Sequence, residues 1–163
     1  MFISGEMSME GLNFSWVIPN KLAGCAGPRQ GDDLLFLKRQ GITMLVRLAE
    51  NYEAMVTSKQ VTVAGLLDLH VPVYDSYSPP QAQLDMVTSH VRRRIAEGGR
   101  VAISCKAGVG RTGMMLSCVL VSMGFPLSEA LETVKRTRNQ LEAYESSYQH
   151  NAIINFAQRN NRK

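Results

Sequence analysis

One thiol and one guanidinium stand six positions apart in Cys105-Lys-Ala-Gly-Val-Gly-Arg111-Thr112-Gly113, among glycines at 108, 110 and 113. A loop of this kind can turn successive backbone N–H groups into one concavity at the positive end of a helix, which is how proteins hold a phosphate. A cysteine at the base of such a nest is stabilised as its thiolate, the form that attacks. Arg111 can fork onto two oxygens of the same phosphate. Nucleophile, anion nest and fixed cation within nine residues imply hydrolysis of phosphate monoesters.

Two other readings of the same residues stay open. A cysteine in an apolar setting can be a small buried hydrophobe. Gly108-Val-Gly110-Arg-Thr-Gly113 also fits the dinucleotide fingerprint G-x-G-x-x-G. Against the second, only helical patterns follow the loop, so no βαβ unit is completed. The acids about twenty residues on, Glu129 and Glu132, fall in a helical pattern rather than at a strand end. The ATP-type loop G-x4-G-K-[ST] is absent.

The elements that must position the loop follow from periodicity. Arg100-Val-Ala-Ile-Ser104 reads as a buried strand leading into Cys105, and Thr112 to Met123 as an apolar helix stopped by Gly124. Upstream, Phe14–Ile18 and Lys21–Gly24 read as short strands around a Pro19-Asn20 turn. Asp32-Asp33 caps a helix to Gln40, and Ile42–Leu48 is a central strand. Residues 49–66 are ambiguous, with room for a short helix before a strand at Leu67–Val71. Leu84, Val87, Val91 and Ile95 mark a helix closed by Gly98-Gly99. Two helices end the chain, one capped by Ser128 and running to Thr137, the other from Glu145 to Gln158. Strands alternating with helices, then helices alone, predict an α/β sandwich with a mostly parallel central sheet, its ligands bound beyond the strands' carboxyl ends.

A cysteine mechanism needs a proton donor for the leaving oxygen. Asp75 is the candidate, because it lies in a loop directly after a strand expected to run parallel to the Cys105 strand. An ordinary turn aspartate would look the same. The Thr112 hydroxyl can serve the Cys105 sulfur or cap the first turn of its helix. Cys118 reads as core, with a disulfide protecting Cys105 as the lesser reading. His70, His90 and His150 lack metal-ligand spacing, so neither metal nor cofactor is expected. Arg92-Arg93-Arg94 fans around a helix and reads as solvated; Trp16 reads as a core or strand anchor. Tyr52, Glu142 and Tyr144 can line the pocket or simply lie on the surface.

The 163 residues are 45% hydrophobic and 20% charged, enough for one domain with a real core. The net charge of +4 is mild for nucleic acid and suits an anionic substrate. Three cysteines without paired spacing make neither a disulfide framework nor a zinc site and fit a reducing compartment. The cytoplasm is expected, with the nucleus as the alternative. No apolar run reaches membrane-span length, and Met1-Phe-Ile-Ser lacks the features of a signal peptide. The expected organisation is a flexible tail over 1–11, a domain over 12–158 and a basic tail over 159–163, acting as a monomer.

The Cys-x5-Arg-[Ser/Thr] loop resembles that of the cysteine-dependent dual-specificity protein phosphatases, and the rest of the chain resembles their small atypical VHZ type. The likeness covers residues 12–157 through Asn13-Phe-Ser-Trp-Val with Pro19, Leu22-Ala-Gly24 and Pro28, Gly41 with Leu45-Val46, Pro79-Pro80, and Glu142-x-Tyr144-Glu145. It implies a tyrosine-phosphatase-like fold, Cys105 as nucleophile, Arg111 as phosphate binder and Asp75 as general acid and then base. It also implies a phosphate cradle from the amides of Lys106, Ala107, Gly108, Val109, Gly110 and Arg111. Phosphorylated proteins are the implied substrates, with no nucleic acid partner. Three departures stand out. Ser104 replaces the family's histidine, Arg138-Asn139 replaces a frequent Arg-Pro, and Asp75 is spaced one residue differently from Pro79-Pro80. Lys106-Ala-Gly108 is closer to the loops of mitotic-exit and phosphoinositide phosphatases, and an added cation suits multiply anionic substrates. A phosphoinositide or RNA 5′-phosphate hydrolase and a weakly active phosphate-binding module therefore remain alternatives.

Overall fold

The β-branched and apolar stretches of the sequence form a five-stranded sheet in the computed structural model, which describes residues 9–161. Its strands are β1 (Ser15–Ile18), β2 (Leu22–Cys25), β3 (Met44–Arg47), β4 (Leu67–His70) and β5 (Val101–Ser104). They lie in the order β1-β2-β5-β3-β4, antiparallel at β1 and parallel elsewhere. β5, which feeds the Cys105 loop, sits at the centre. The registers Arg47↔Ser104 and Arg47↔His70 bring the carboxyl ends of β3, β4 and β5 to one edge.

Strand alternation sorts the core into two layers. Leu22, Met44, Val46, Val101 and Ile103 face one side, where α4 (Gln81–Ala96), α5 (Gly110–Ser122), α6 (Leu127–Thr137) and α7 (Ser147–Asn160) pack. Ala23, Cys25, Leu45 and Ala102 face the other, covered by α2 (Gly31–Arg39) and the short α3 (Ser58–Val63). Every residue of α5 from Gly110 to Val121 is buried, as expected of a helix apolar on all sides. Met114, Met115, Leu116 and Leu120 are fully buried, each contributing about 1.5–3 kcal/mol over exposure. The Cys105 loop is thus clamped between the central strand and the most buried helix.

The expected α/β sandwich is the observed one, with local corrections. The ambiguous 49–66 stretch resolves into a loop and α3, whose start carries a reciprocal Thr57–Gln60 capping box. α2 begins at Gly31 with no side-chain cap; the buried Asp33 instead accepts the Arg29 amide at 2.8 Å. α6 begins one residue before Ser128, which lies within its first turn, and Pro126 takes the cap position. Pro suits a helix entrance because its missing N–H would have no partner there. At the ends, a helical turn α1 (Met9–Leu12) already buries Leu12, and α7 continues to Asn160. Arg159 is no tail residue: it forks onto Asp85 at 2.9 and 2.8 Å. Residues 1–8 of the tail expected over 1–11, and the last two residues of the chain, lie outside the described residues. Trp16 is half-buried and edge-on to Phe14, an anchor on the outermost strand.

Candidate active site

Cys105 leaves β5 on the helix-bearing side and is almost fully buried. Gly108 has φ +78, a left-handed conformation that glycine adopts at no steric cost, and it lets the chain curl back. An added Cβ there would also stand 2.5 Å from the Cys25 carbonyl carbon. The carbonyls of Lys106, Ala107 and Gly108 all point away from the concavity into partners: Gly27 N–H at 3.0 Å, Asn13 Nδ2 at 3.1 Å and Arg138 Nη2 at 2.7 Å. Because a trans peptide sets N–H opposite C=O, the amides that follow face the other way, into the cradle.

Arg111 is 2% exposed, and its five N–H donors can be counted. Nη1 donates to Glu53 Oε2 at 2.7 Å and to the Val73 carbonyl at 2.8 Å, and Nη2 donates to Glu53 Oε1 at 3.0 Å. Nε–H and the second Nη2–H remain, a two-pronged fork on the side edge of the guanidinium. Asp75 Oδ1 lies 3.6 Å from that Nη2, on a side chain that is 65% exposed. Asp75 comes from the loop after β4, the same sheet edge as Cys105. Arg111 feels the charges of both Cys105 and Asp75. Burial, the largest single influence, disfavours its cation, but the Glu53 bonds together with the charges of Cys105, Glu53 and Asp75 outweigh it and raise its pKa further. The Arg111 bonds in turn hold the Glu53 carboxyl below the usual carboxylate range.

Thr112 is fully buried, and its hydroxyl has no hydrogen-bond partner among the described residues. It does not cap α5, whose start has no side-chain cap. Ser104 turns to the other face of the sheet, where its hydroxyl donates to the Val46 carbonyl at 3.1 Å. Cys25 and Cys118 are free, buried thiols whose ionisation burial suppresses, Cys25 being pushed up to about 12. Of the lesser candidates, Tyr52 is exposed, Glu142 is exposed and Tyr144 stacks on His150 at 4.2 Å, so the structure gives them no part in the Arg111 cluster.

Glu53 is the residue that sequence reading missed. It sits in the 49–66 stretch that carried no periodicity, and nothing in one sequence pairs it with an arginine fifty-eight positions away. That stretch is braced by Arg47, which forks onto Asp68 at 2.6 and 2.9 Å and donates to the Val56 carbonyl and the Ser58 hydroxyl. Asn13 and Arg138 were noted only for resemblance and for a departure; both grip the loop. A cavity of about 450 Å³ opens beside it, walled by Cys105, Lys106, Ala107, Ala49, Glu53 and Met55.

The chain is similar to several known proteins. The family model described as "Polymorphic toxin system, DSP-PTPase phosphatase" matches residues 24–125, more than half of the chain. The mouse dual specificity protein phosphatase CDC14B is 26% identical over 122 residues, covering 67% of this chain and 24% of that protein. The mouse protein tyrosine phosphatase type IVA 2 is 28% identical over 105 residues, covering 63% of this chain and 60% of its own length. The crystal structure of Tk-PTP in its active form superposes with a TM-score of 0.82 at 28% identity, covering 90% of this chain and 97% of that one. This chain therefore spans about a quarter of CDC14B and less than two thirds of the type IVA 2 protein.

Proposed function

The chain belongs to the DSP-PTPase phosphatase family, and from that premise we propose that it hydrolyses phosphotyrosine and phosphoserine/threonine in proteins through a phosphocysteine on Cys105. The observation that carries the reading is the meeting of Arg111 with Asp75 at 3.6 Å, at the sheet edge where Cys105 emerges. The Cys105 thiolate attacks phosphorus while the bond to the leaving oxygen breaks, and Asp75 gives that oxygen its proton. The free side edge of Arg111 and the amides of Lys106 to Arg111, with those of Ala107, Gly108 and Val109 turned inward, hold the equatorial oxygens as charge builds on them. Water then attacks the phosphocysteine, Asp75 takes its proton, and the sulfur leaves as thiolate with inorganic phosphate released. The unpartnered Thr112 hydroxyl is available to that departing sulfur.

All these groups belong to one chain, which supports action as a monomer, and the unpaired thiols suit a reducing compartment such as the cytoplasm. Among the described residues, no helix is long and apolar enough to cross a membrane. Turnover of para-nitrophenyl phosphate by the wild type, abolished in Cys105→Ser, tests the reaction. Faster turnover of phosphopeptides than of phosphoinositides or RNA 5′-phosphates, at equal concentration, tests the substrate class. Activity surviving in Cys105→Ser overturns the nucleophile assignment.

A further inference from the structure

Arg138 is 4% exposed, yet none of its hydrogen bonds goes to a carboxylate. Its Nη1 donates to the Asn13 carbonyl, the Ser15 hydroxyl and the Gly24 carbonyl, each at 2.7 Å, and Nη2 donates to the Gly108 carbonyl at 2.7 Å. Burial penalises this cation and lowers its pKa, and the influences opposing that come from the neighbouring thiols Cys25 and Cys105 rather than from a carboxylate. A buried charge without a counter-charge is penalised by its lost hydration, and a neutral, well-packed side chain would fill the same space without that penalty. What a neutral side chain could not do is bind four acceptors on three separate segments at once.

Asn13 completes the arrangement from the other end of the chain. Its backbone, at φ +48, hands its carbonyl to Arg138 while its side-chain amide donates to the Ala107 carbonyl at 3.1 Å. Gly27 supplies the third grip through its N–H on the Lys106 carbonyl, and an added Cβ at Gly27 would stand 2.5 Å from the Cys105 carbonyl oxygen. Three consecutive carbonyls of the loop are therefore taken from behind. A peptide plane that rotated to point its carbonyl into the cradle would lose one of these partners and set an oxygen against the incoming anion.

We infer that Asn13 and Arg138 are positioning residues that hold the phosphate loop with its amides inward, so that the cradle exists before any anion arrives. This rests on the phosphatase reading for its purpose but not for its test. The probe is inorganic phosphate, read as the concentration that half-protects Cys105 from alkylation by iodoacetamide, which needs no turnover. Asn13→Asp keeps the size of the side chain but turns the donor facing the Ala107 carbonyl into an acceptor; Arg138→Lys keeps the charge but cannot span four acceptors.

Each variant should raise the half-protecting concentration about tenfold or more, below the hundredfold and greater cost of deleting an anion-hole donor outright. Asn13→Gly, which tolerates positive φ and only drops the bond, should fall between wild type and Asn13→Asp. Half-protection within twofold of wild type in Asn13→Asp overturns the inference, even if that variant's thermal midpoint falls, because a merely structural role would move only the midpoint. If Arg138→Lys does not fold, Asn13→Asp alone decides. A wild type that is protected by phosphate but leaves para-nitrophenyl phosphate intact refutes the phosphatase reading, and the variants' half-protecting concentrations still decide this one.

Discussion

Two buried arginines approach the same loop from opposite sides and are held in opposite ways. Arg111 lies in the loop, is locked end-on by a carboxylate and keeps its side edge free. Arg138 comes from the end of α6, has no carboxylate and commits both of its terminal nitrogens to backbone and hydroxyl oxygens. The difference separates two tasks. A cation that must meet a phosphate needs a fixed direction and spare donors, which a bidentate carboxylate provides. A cation that shapes backbone needs its terminal nitrogens turned onto carbonyls, and a carboxylate would only compete with the carbonyls it is there to hold. Burial alone does not distinguish a ligand-binding arginine from a structural one, and neither does a count of free N–H groups, since Arg138 Nε also lacks a partner; what the terminal nitrogens hold does.

The largest effect should come from Arg111→Lys. An ammonium cannot both hold Glu53 and present two parallel donors to a phosphate becoming trigonal-bipyramidal, so turnover should fall by about a hundredfold or more. Activity within threefold of wild type would break the comparison by showing that Lys106, at the mouth of the cradle, does the work assigned to Arg111. Next is Asp75→Asn, which keeps a polar group 3.6 Å from the fork but removes the proton. It should cost roughly a hundredfold on alkyl or ordinary aryl phosphates, the scale of general acid catalysis. The loss should shrink for leaving groups that depart without a proton. A rate loss independent of the leaving group would mean that Asp75 serves only as a charge beside Arg111.

The contiguous part of this site was legible because it is written in one place. Cys105, three glycines and Arg111 in sequence already specify a loop, a charge and a nucleophile, and the apolar run after them specifies the helix that carries the loop. Asp75 was reachable by one further step, since parallel strands deliver their following loops to one edge. Glu53, Asn13 and Arg138 were not reachable as parts of the site. Each reaches the loop across a gap of thirty to ninety-four positions, in segments whose own patterning says only loop or helix end. The corrected helix starts show a similar gap: the helices enter at Pro126 and Gln30, and the nearby Ser128, Asp32 and Asp33 offer caps that are not made. Periodicity reports which face of an element is buried; it carries no information on which distant donor will find which carbonyl.

The smallest effect on rate, and the sharpest on the electrostatic half of the comparison, belongs to Glu53→Gln. An amide keeps the shape but can offer only one acceptor to a fork that now finds two, and its NH₂ meets another donor. Misdirecting Arg111 without removing it should cost roughly tenfold in turnover, less than the hundredfold that a displacement of an ångström can bring. Stability gives the cleaner reading. Arg111 holds the Glu53 carboxyl below the ordinary carboxylate range. A group whose folded-state pKa is depressed contributes stability that is fully present above its unfolded value, about 4.3 for Glu, and is lost as pH falls through the folded value. The wild type should therefore melt at a higher temperature than Glu53→Gln at pH 7. The gap between them should begin to close below about pH 4.3, where the unfolded chain takes up the proton first. Thermal midpoints of both proteins from neutral pH down to pH 3 check this. A gap that stays constant across that range would show that the carboxylate's charge is not what locks Arg111, and the distinction between an arginine held by charge and one held by carbonyls would lose its basis.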